Sequence, residues 1–144
     1  MFNTILVVCV GNICRSPTAE MLLQLALPGK KVHSAGIKAM VGNDMDKQAR
    51  TVTEAHGYLF PIHSARQLDR SLCRGADLIL VMEPGHREAL AQMAPEALGK
   101  TFLLGKWIGD KAIPDPYRRS SEAFEQVFLL INEAVNAWQR KLMP

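Results

Sequence analysis

The feature that most constrains the fold is the stretch Ile5-Leu6-Val7-Val8-Cys9. It is a continuous apolar run rich in β-branched residues, with no alternation of polar and apolar positions. A strand with one wet face alternates. A run without alternation suits a strand covered on both faces, as in the middle of a parallel sheet. Soon afterwards the period changes. Ser16-Pro17 opens a segment in which Ala19, Leu22, Leu23 and Ala26 follow helical spacing, and Pro28-Gly29 closes it. A strand, a loop and a helix are therefore written into the opening residues.

The alternation continues along the chain. Lys31 to Ala35 reads as a second strand, followed by Gly36, and Asp46 to His56 as a short helix closed by Gly57. Asp77 to Met82 is the strongest later strand. After it His86, Leu90, Met93 and Ala94 form a helical stripe, and Thr101 to Leu104 reads as a short fourth strand. In the last helix Phe124, Val127, Phe128, Ile131, Val135, Trp138 and Leu142 line one face, which is expected to pack on the sheet. Strands alternating with helices predict an α/β fold, a doubly wound four-stranded parallel sheet with helices on both faces; the strand order expected for it is flavodoxin-like, 2-1-3-4. The chain of 144 residues has no repeat, linker or low-complexity tract and suits a single domain, 1–144.

Composition narrows the function. Net charge is +3 and no Lys/Arg run is present, which argues against nucleic acid and is compatible with an anionic substrate. The start, MFNTILVVCVGN, lacks a basic leader, and its apolar run falls short of the roughly 18 residues of a membrane span, so no membrane insertion is expected. The three cysteines, Cys9, Cys14 and Cys73, match no zinc spacing. A cytoplasmic protein with reduced thiols is the expectation.

In doubly wound sheets ligands sit at the carboxyl ends of the strands, which places a site just after Cys9. Gly11 permits unusual backbone conformations, and Asn12 tolerates left-handed geometry. Such a turn aims the successive N–H groups of Val10, Gly11, Asn12, Ile13, Cys14, Arg15 and Ser16 into one concavity. The helix expected from Ser16, with Pro17 where a missing N–H costs nothing, points its positive end into the same place. Arg15 adds a planar fork that matches two phosphate oxygens. The loop is a predicted cradle for a tetrahedral oxyanion. Cys9 lies at its floor, in the kind of setting that lowers a thiol pKa from about 8.5 into the range of roughly 3.5–7.5. Ser16 is placed to donate a hydrogen bond to the sulfur. Late in the chain Ile113-Pro114-Asp115-Pro116-Tyr117 presents a carboxyl in a loop stiffened by two prolines, with Asp110 and Glu83 as other candidates for a general acid.

The run Cys9-Val10-Gly11-Asn12-Ile13-Cys14-Arg15-Ser16-Pro17 resembles the signature loop of the low-molecular-weight protein tyrosine phosphatases. The resemblance continues through Ser34-Ala35-Gly36, His63 with Ala65-Arg66-Gln67, the strand Asp77 to Met82, and Asp115-Pro116-Tyr117. It is closest to the bacterial branch, whose members oppose autophosphorylating tyrosine kinases that control capsule or exopolysaccharide synthesis. The short chain and the pair Tyr117-Arg118 fit that branch; animal members usually carry a second tyrosine where Arg118 stands.

The resemblance implies Asp115 as the general acid. It implies a hydrogen-bond frame of Asn12, Ser34 and His63 around the loop, and a reversible disulfide between Cys14 and Cys9 on oxidation. The expected chemistry has two steps. Cys9 attacks phosphorus while Asp115 protonates the leaving phenolate, then Asp115 activates water against the cysteinyl-phosphate. Arg15 and the loop N–H groups hold the equatorial oxygens throughout, and no metal or cofactor is required. Met40 and Tyr117 are candidate walls for an aromatic substrate, and Arg118 and Arg119 for attraction of an acidic peptide. The expected partner is a tyrosine-phosphorylated protein, an autophosphorylating bacterial kinase, met by a monomer. Rival readings fit less. Arsenate reductases of this fold need a further cysteine pair, whereas only Cys73 lies beyond the loop. Protein-arginine phosphatases usually carry threonine at the position of Ile13. A flavin-phosphate binder would show more than 6% aromatic residues, and a thiol redox protein leaves Arg15 and Asp115 without a role.

Overall fold

The computed structural model describes residues 2–143. The first strand, β1 (Thr4–Cys9), is buried from Ile5 onward, as its two-sided apolar run requires. It is flanked on both sides by parallel partners, β2 (Lys31–Gly36) and β3 (Leu78–Val81), and β4 (Thr101–Leu103) adds to β3. The order β2-β1-β3-β4 is the one expected. Register pairs Cys9 with Gly36 and Val8 with Val81, so the strands end together and their loops share one edge of the sheet.

Among the described residues five α-helices complete the fold: α1 (Arg15–Ala26), α2 (Lys47–Ala55), α3 (Arg70–Gly75), α4 (Pro84–Met93) and α5 (Ser121–Leu142). Alternate residues of each strand face opposite layers. Ile5, Val7, Cys9, Leu78 and Leu80 join one cluster with Leu22 and Leu23 of α1 and Val127, Phe128, Ile131, Val135 and Trp138 of α5. Leu6, Val8, Ile79 and Val81 join the other with Cys73 and Leu90. Each large side chain so enclosed contributes about 1.5–3 kcal/mol by leaving water. The α5 face foreseen from its period is therefore core, and the Trp138 indole N–H, buried with it, donates to the Leu104 carbonyl at 2.8 Å. Leu142, at the end of the stripe, is only partly buried.

The structure departs from the sequence reading at short elements. Helix α1 begins at Arg15 rather than Ser16. Pro17 is then its third residue, still inside the first turn, where no intrahelical acceptor awaits an N–H. Helix α2 is narrower than the stretch from Asp46 to His56: Asp46 is its cap, accepting from the N–H groups of Gln48 and Ala49. Helix α3 and the 3-10 turns Pro95–Lys100 and Lys106–Ile108 had no counterpart in the reading, being too short to carry a hydrophobic period.

Gly36 fixes how closely β2 meets the loop after β1. A Cβ there would lie 2.4 Å from the Val10 carbonyl oxygen and 3.0 Å from the Asn12 nitrogen, both backbone atoms with no freedom to swing aside. Gly36→Ala is expected to destabilise the fold by about 1–3 kcal/mol, seen as a lower urea midpoint at unchanged slope. An unchanged midpoint would show that the loop yields freely.

Candidate active site

The loop from Cys9 to Ser16 begins where β1 ends, and Cys9 is 2% exposed at that point. Its Sγ lies 2.9 Å from Ser16 Oγ in the first turn of α1. Asn12 takes φ 58°, the left-handed conformation foreseen for it. Among the described residues, none of the N–H groups of Gly11, Asn12, Ile13 and Cys14 donates to a backbone carbonyl. Carbonyls of the loop point outward instead: those of Val10 and Gly11 accept from Lys38 and Met40, and that of Ile13 from Asp46 at 2.7 Å. A ring of unspent donors at a helix start is an anion-binding geometry.

The buried Asn12 side chain holds the turn. Its amide nitrogen donates to Ser16 Oγ at 2.8 Å and Ser34 Oγ at 2.9 Å, and its amide oxygen accepts from the Arg66 N–H at 2.9 Å. The Asn12 carbonyl meets His63 Nε2 at 2.6 Å. Asn12, Ser34 and His63 thus come together around the loop. Two further members escaped the reading of the residues. The Ser34 hydroxyl donates to Glu20, and Arg66, besides its N–H, donates from Nε to the Ser34 carbonyl at 2.9 Å. The motif Ala65-Arg66-Gln67 gives Arg66 no role by itself. Glu20 sits on α1, four residues beyond Ser16, a spacing that signals only a shared helix face.

Arg15 is 2% exposed. Its Nη1 donates to Glu83 Oε2 and to the Ile113 carbonyl, both at 2.7 Å. Its Nη2 lies 3.9 Å from Asp115 Oδ2. The guanidinium is therefore pinned by one nitrogen, while Nε and Nη2 make no hydrogen bond within the described protein. Glu83, considered a rival acid from its place after β3, instead carries the ion pair with Arg15. The acid loop is anchored to the same spot: the Ile113 N–H donates to the Met82 carbonyl at 2.8 Å, and its carbonyl takes Arg15. Asp115 is half-exposed, and its Oδ1 accepts from the Tyr117 N–H at 3.0 Å, which leaves Oδ2 toward Arg15. Asp110, the third candidate, takes φ 54° near the 3-10 turn Lys106–Ile108 and has no recorded bond to this group.

Met40 lies against the loop rim. Its N–H donates to the Gly11 carbonyl at 3.0 Å, and its side chain is 39% exposed. Tyr117 is partly exposed beside Asp115, with the Arg118 guanidinium 5.3 Å from its ring centroid. Arg119, by contrast, lines a cleft with Pro114, Asp115 and Gln126. Cys14 contributes only backbone to the cradle. Its thiol clusters with Met45, Ala49 and Phe124, and burial foremost, then negative charge on Cys9, pushes it well above the ordinary thiol range. Cys73 is a buried core thiol. Among the described residues no cluster of His, Cys, Asp and Glu is disposed to hold a metal ion, and no helix is long and apolar enough to cross a membrane.

A buried thiol, a left-handed loop with free N–H groups, a pinned arginine and a carboxyl over the rim form one constellation. The family described as low molecular weight phosphotyrosine protein phosphatase matches residues 4–143. The chain belongs to this family. It is 52% identical to the low molecular weight protein-tyrosine-phosphatase Wzb of Escherichia coli K12, over 99% of this chain and 97% of that one. It is 49% identical to the probable low molecular weight protein-tyrosine-phosphatase AmsI of Erwinia amylovora, over 99% of each. The structure of Vibrio vulnificus Wzb in complex with benzylphosphonate superposes with a TM-score of 0.96 at 55% identity, covering 99% of this chain and 100% of that one.

The frame yields a direct expectation. Ser34→Ala leaves the buried Asn12 amide short of one acceptor, so unfolding free energy should fall by about 1–3 kcal/mol. Chemical denaturation measures it. A loss below a few tenths would mean that Ser34 does not hold Asn12.

Proposed function

We propose that this protein is a cytoplasmic, metal-independent phosphatase that hydrolyses phosphotyrosine through a cysteinyl-phosphate. Its substrate is an autophosphorylating bacterial tyrosine kinase that controls capsule or exopolysaccharide production, and it works as a single chain. The observation that carries the chemistry is the joint position of Cys9 and Arg15. The thiol is buried where β1 gives way to the loop, 2.9 Å from Ser16 Oγ, and the guanidinium, pinned on Nη1, leaves Nε and Nη2 without a hydrogen bond for two phosphate oxygens.

The reaction follows from these positions. With the equatorial oxygens of the phosphoryl group held by the loop N–H groups and Arg15, phosphorus sits over Cys9 Sγ. Sulfur attacks in line. The bond from phosphorus to the phenolic oxygen breaks, and Asp115 gives that oxygen its proton. Ser16 Oγ, 2.9 Å from the sulfur, stabilises it as thiolate before attack and after departure. Water then enters on the side the phenol left. Asp115 takes its proton, the S–P bond breaks toward sulfur, and inorganic phosphate leaves. Because loop donors and arginine are fixed beforehand, they stabilise charge on the transferring group without reorganising.

Selectivity follows from depth. A thiol that solvent barely reaches favours phosphorus carried on a long phenol over phosphorus on a short serine side chain. Met40, bonded to the loop through its N–H, and Tyr117, bonded to Asp115 through its own, serve as walls for the ring. The kinase assignment is supported by the likeness to the proteins named Wzb and AmsI.

The test is hydrolysis of p-nitrophenyl phosphate across pH 4–9 in the presence of a chelator. Cys9→Ser should abolish turnover. Asp115→Asn should lower kcat by about 10²–10⁴, because the proton donor of the first step and the base of the second are both gone. Turnover by Cys9→Ser, or a wild-type rate that collapses with chelator, would refute the mechanism.

A further inference from the structure

Glu83 stands at the cap position of α4, where a carboxylate ordinarily turns to the free N–H groups of the helix, yet it makes no such bond. Its Oε2 faces Arg15 Nη1 at 2.7 Å and, from the other side, His86 Nε2 at 3.3 Å. His86 belongs to the first turn of α4 and is buried, and its backbone N–H donates to the Glu83 carbonyl at 3.0 Å. The sequence placed it in a stripe with Leu90, Met93 and Ala94, which accounts for its burial but not for its polar ring.

We propose that His86 is a positioning residue for the phosphatase reaction: its Nε2–H holds the Glu83 carboxylate in the orientation that pins Arg15. The inference rests on the mechanism proposed above and concerns only how its arginine is aimed. Glu83 is 40% exposed, so water competes with Arg15 for its carboxylate. At 3.3 Å the His86 Nε2 is in contact with the carboxylate without a closed hydrogen bond, and a small turn of either side chain makes it a second donor that disfavours rotamers swinging out to water.

The tautomer follows from hydrogen bonding. His86 Nδ1 is buried and has no partner among the described residues. A lone pair is tolerated there far better than an N–H, so the proton belongs on Nε2, against Glu83. The charged groups facing the ring are Arg15 from α1, Glu83 at the start of its own helix and Asp115 from the acid loop. Burial first, and Arg15 second, hold His86 below the ordinary histidine range, against the opposing pull of the two carboxylates. At neutral pH the ring is therefore neutral. When acid protonates it, an unpaired Nδ1–H is buried and a second cation competes with Arg15 for Glu83.

The experiment compares His86→Leu, which removes the donor, with His86→Gln, whose amide restores one that does not titrate. Steady-state kinetics on p-nitrophenyl phosphate would be run from pH 5 to 8. His86→Leu should lower kcat/KM by about tenfold and weaken inhibition by inorganic phosphate in step, the loss of one hydrogen bond to a charged group. His86→Gln should recover most of it and lose the part of the acid fall of the profile that belongs to His86. In a Glu83→Gln background His86→Leu should add little, because both act on one guanidinium. Equal effects of Leu and Gln, or additive effects with Glu83→Gln, would overturn the proposal. Should a variant fail to fold, nitrogen-15 NMR of the wild type decides. A proton on Nε2 supports the assignment, and one on Nδ1 contradicts it. Wild-type and Cys9→Ser rates report separately on the phosphatase mechanism.

Discussion

A guanidinium buried to 2% exposure is the constraint on which this site depends. Arg15 cannot shed its charge, so the protein must surround it with acceptors. It does so with groups from separate parts of the chain: the Glu83 carboxylate just beyond β3 and the Ile113 carbonyl from the loop that carries Asp115. The start of α1, the end of β3 and the acid loop are thereby fastened to one another at a single nitrogen. A buried ion pair of this kind adds little net stability over an apolar replacement, so its presence is explained by the chemistry it aims rather than by the fold it ties.

Around that arginine the backbone supplies the rest. The left-handed Asn12 turns the loop, and Ser16, Ser34, His63 and Arg66 satisfy the polar groups that the turn exposes. Gly36 lets β2 approach the loop more closely than any side chain would allow. The carbonyls are spent on neighbours outside the cradle while the N–H groups remain inside it. Binding an oxyanion then requires almost no rearrangement, the condition under which hydrogen bonds lower a barrier most.

Much of this was legible in the residues, for identifiable reasons. The uninterrupted apolar run of β1 and the stripe from Phe124 to Trp138 are strong periodic signals, and alternating strands and helices fix the order of layers. The turn at Gly11-Asn12 and the fork of Arg15 are local chemistry, readable without tertiary knowledge. What could not be read was tertiary. Glu83 follows a strand end, a place that signals a site but not a partner, and its ion pair spans 68 positions of sequence. His86 has the spacing of a core residue, and only the fold shows its ring against a carboxylate. The direction of the Cys14 side chain, away from the loop toward Met45, Ala49 and Phe124, had no signal in the sequence. Helix α3 is too short for any period to show.

The central claim is that phosphate passes through Cys9. Rapid acid quench of Asp115→Asn reacting with p-nitrophenyl phosphate tests it most directly. That leaving group is acidic enough to depart, more slowly, without a proton, so the first step is slowed less than the second, which has lost its base. Mass spectrometry should then find one phosphoryl group on the peptide containing Cys9, formed as fast as nitrophenolate is released. Release of nitrophenolate with no covalent phosphate, or with phosphate on any other residue, would contradict the account.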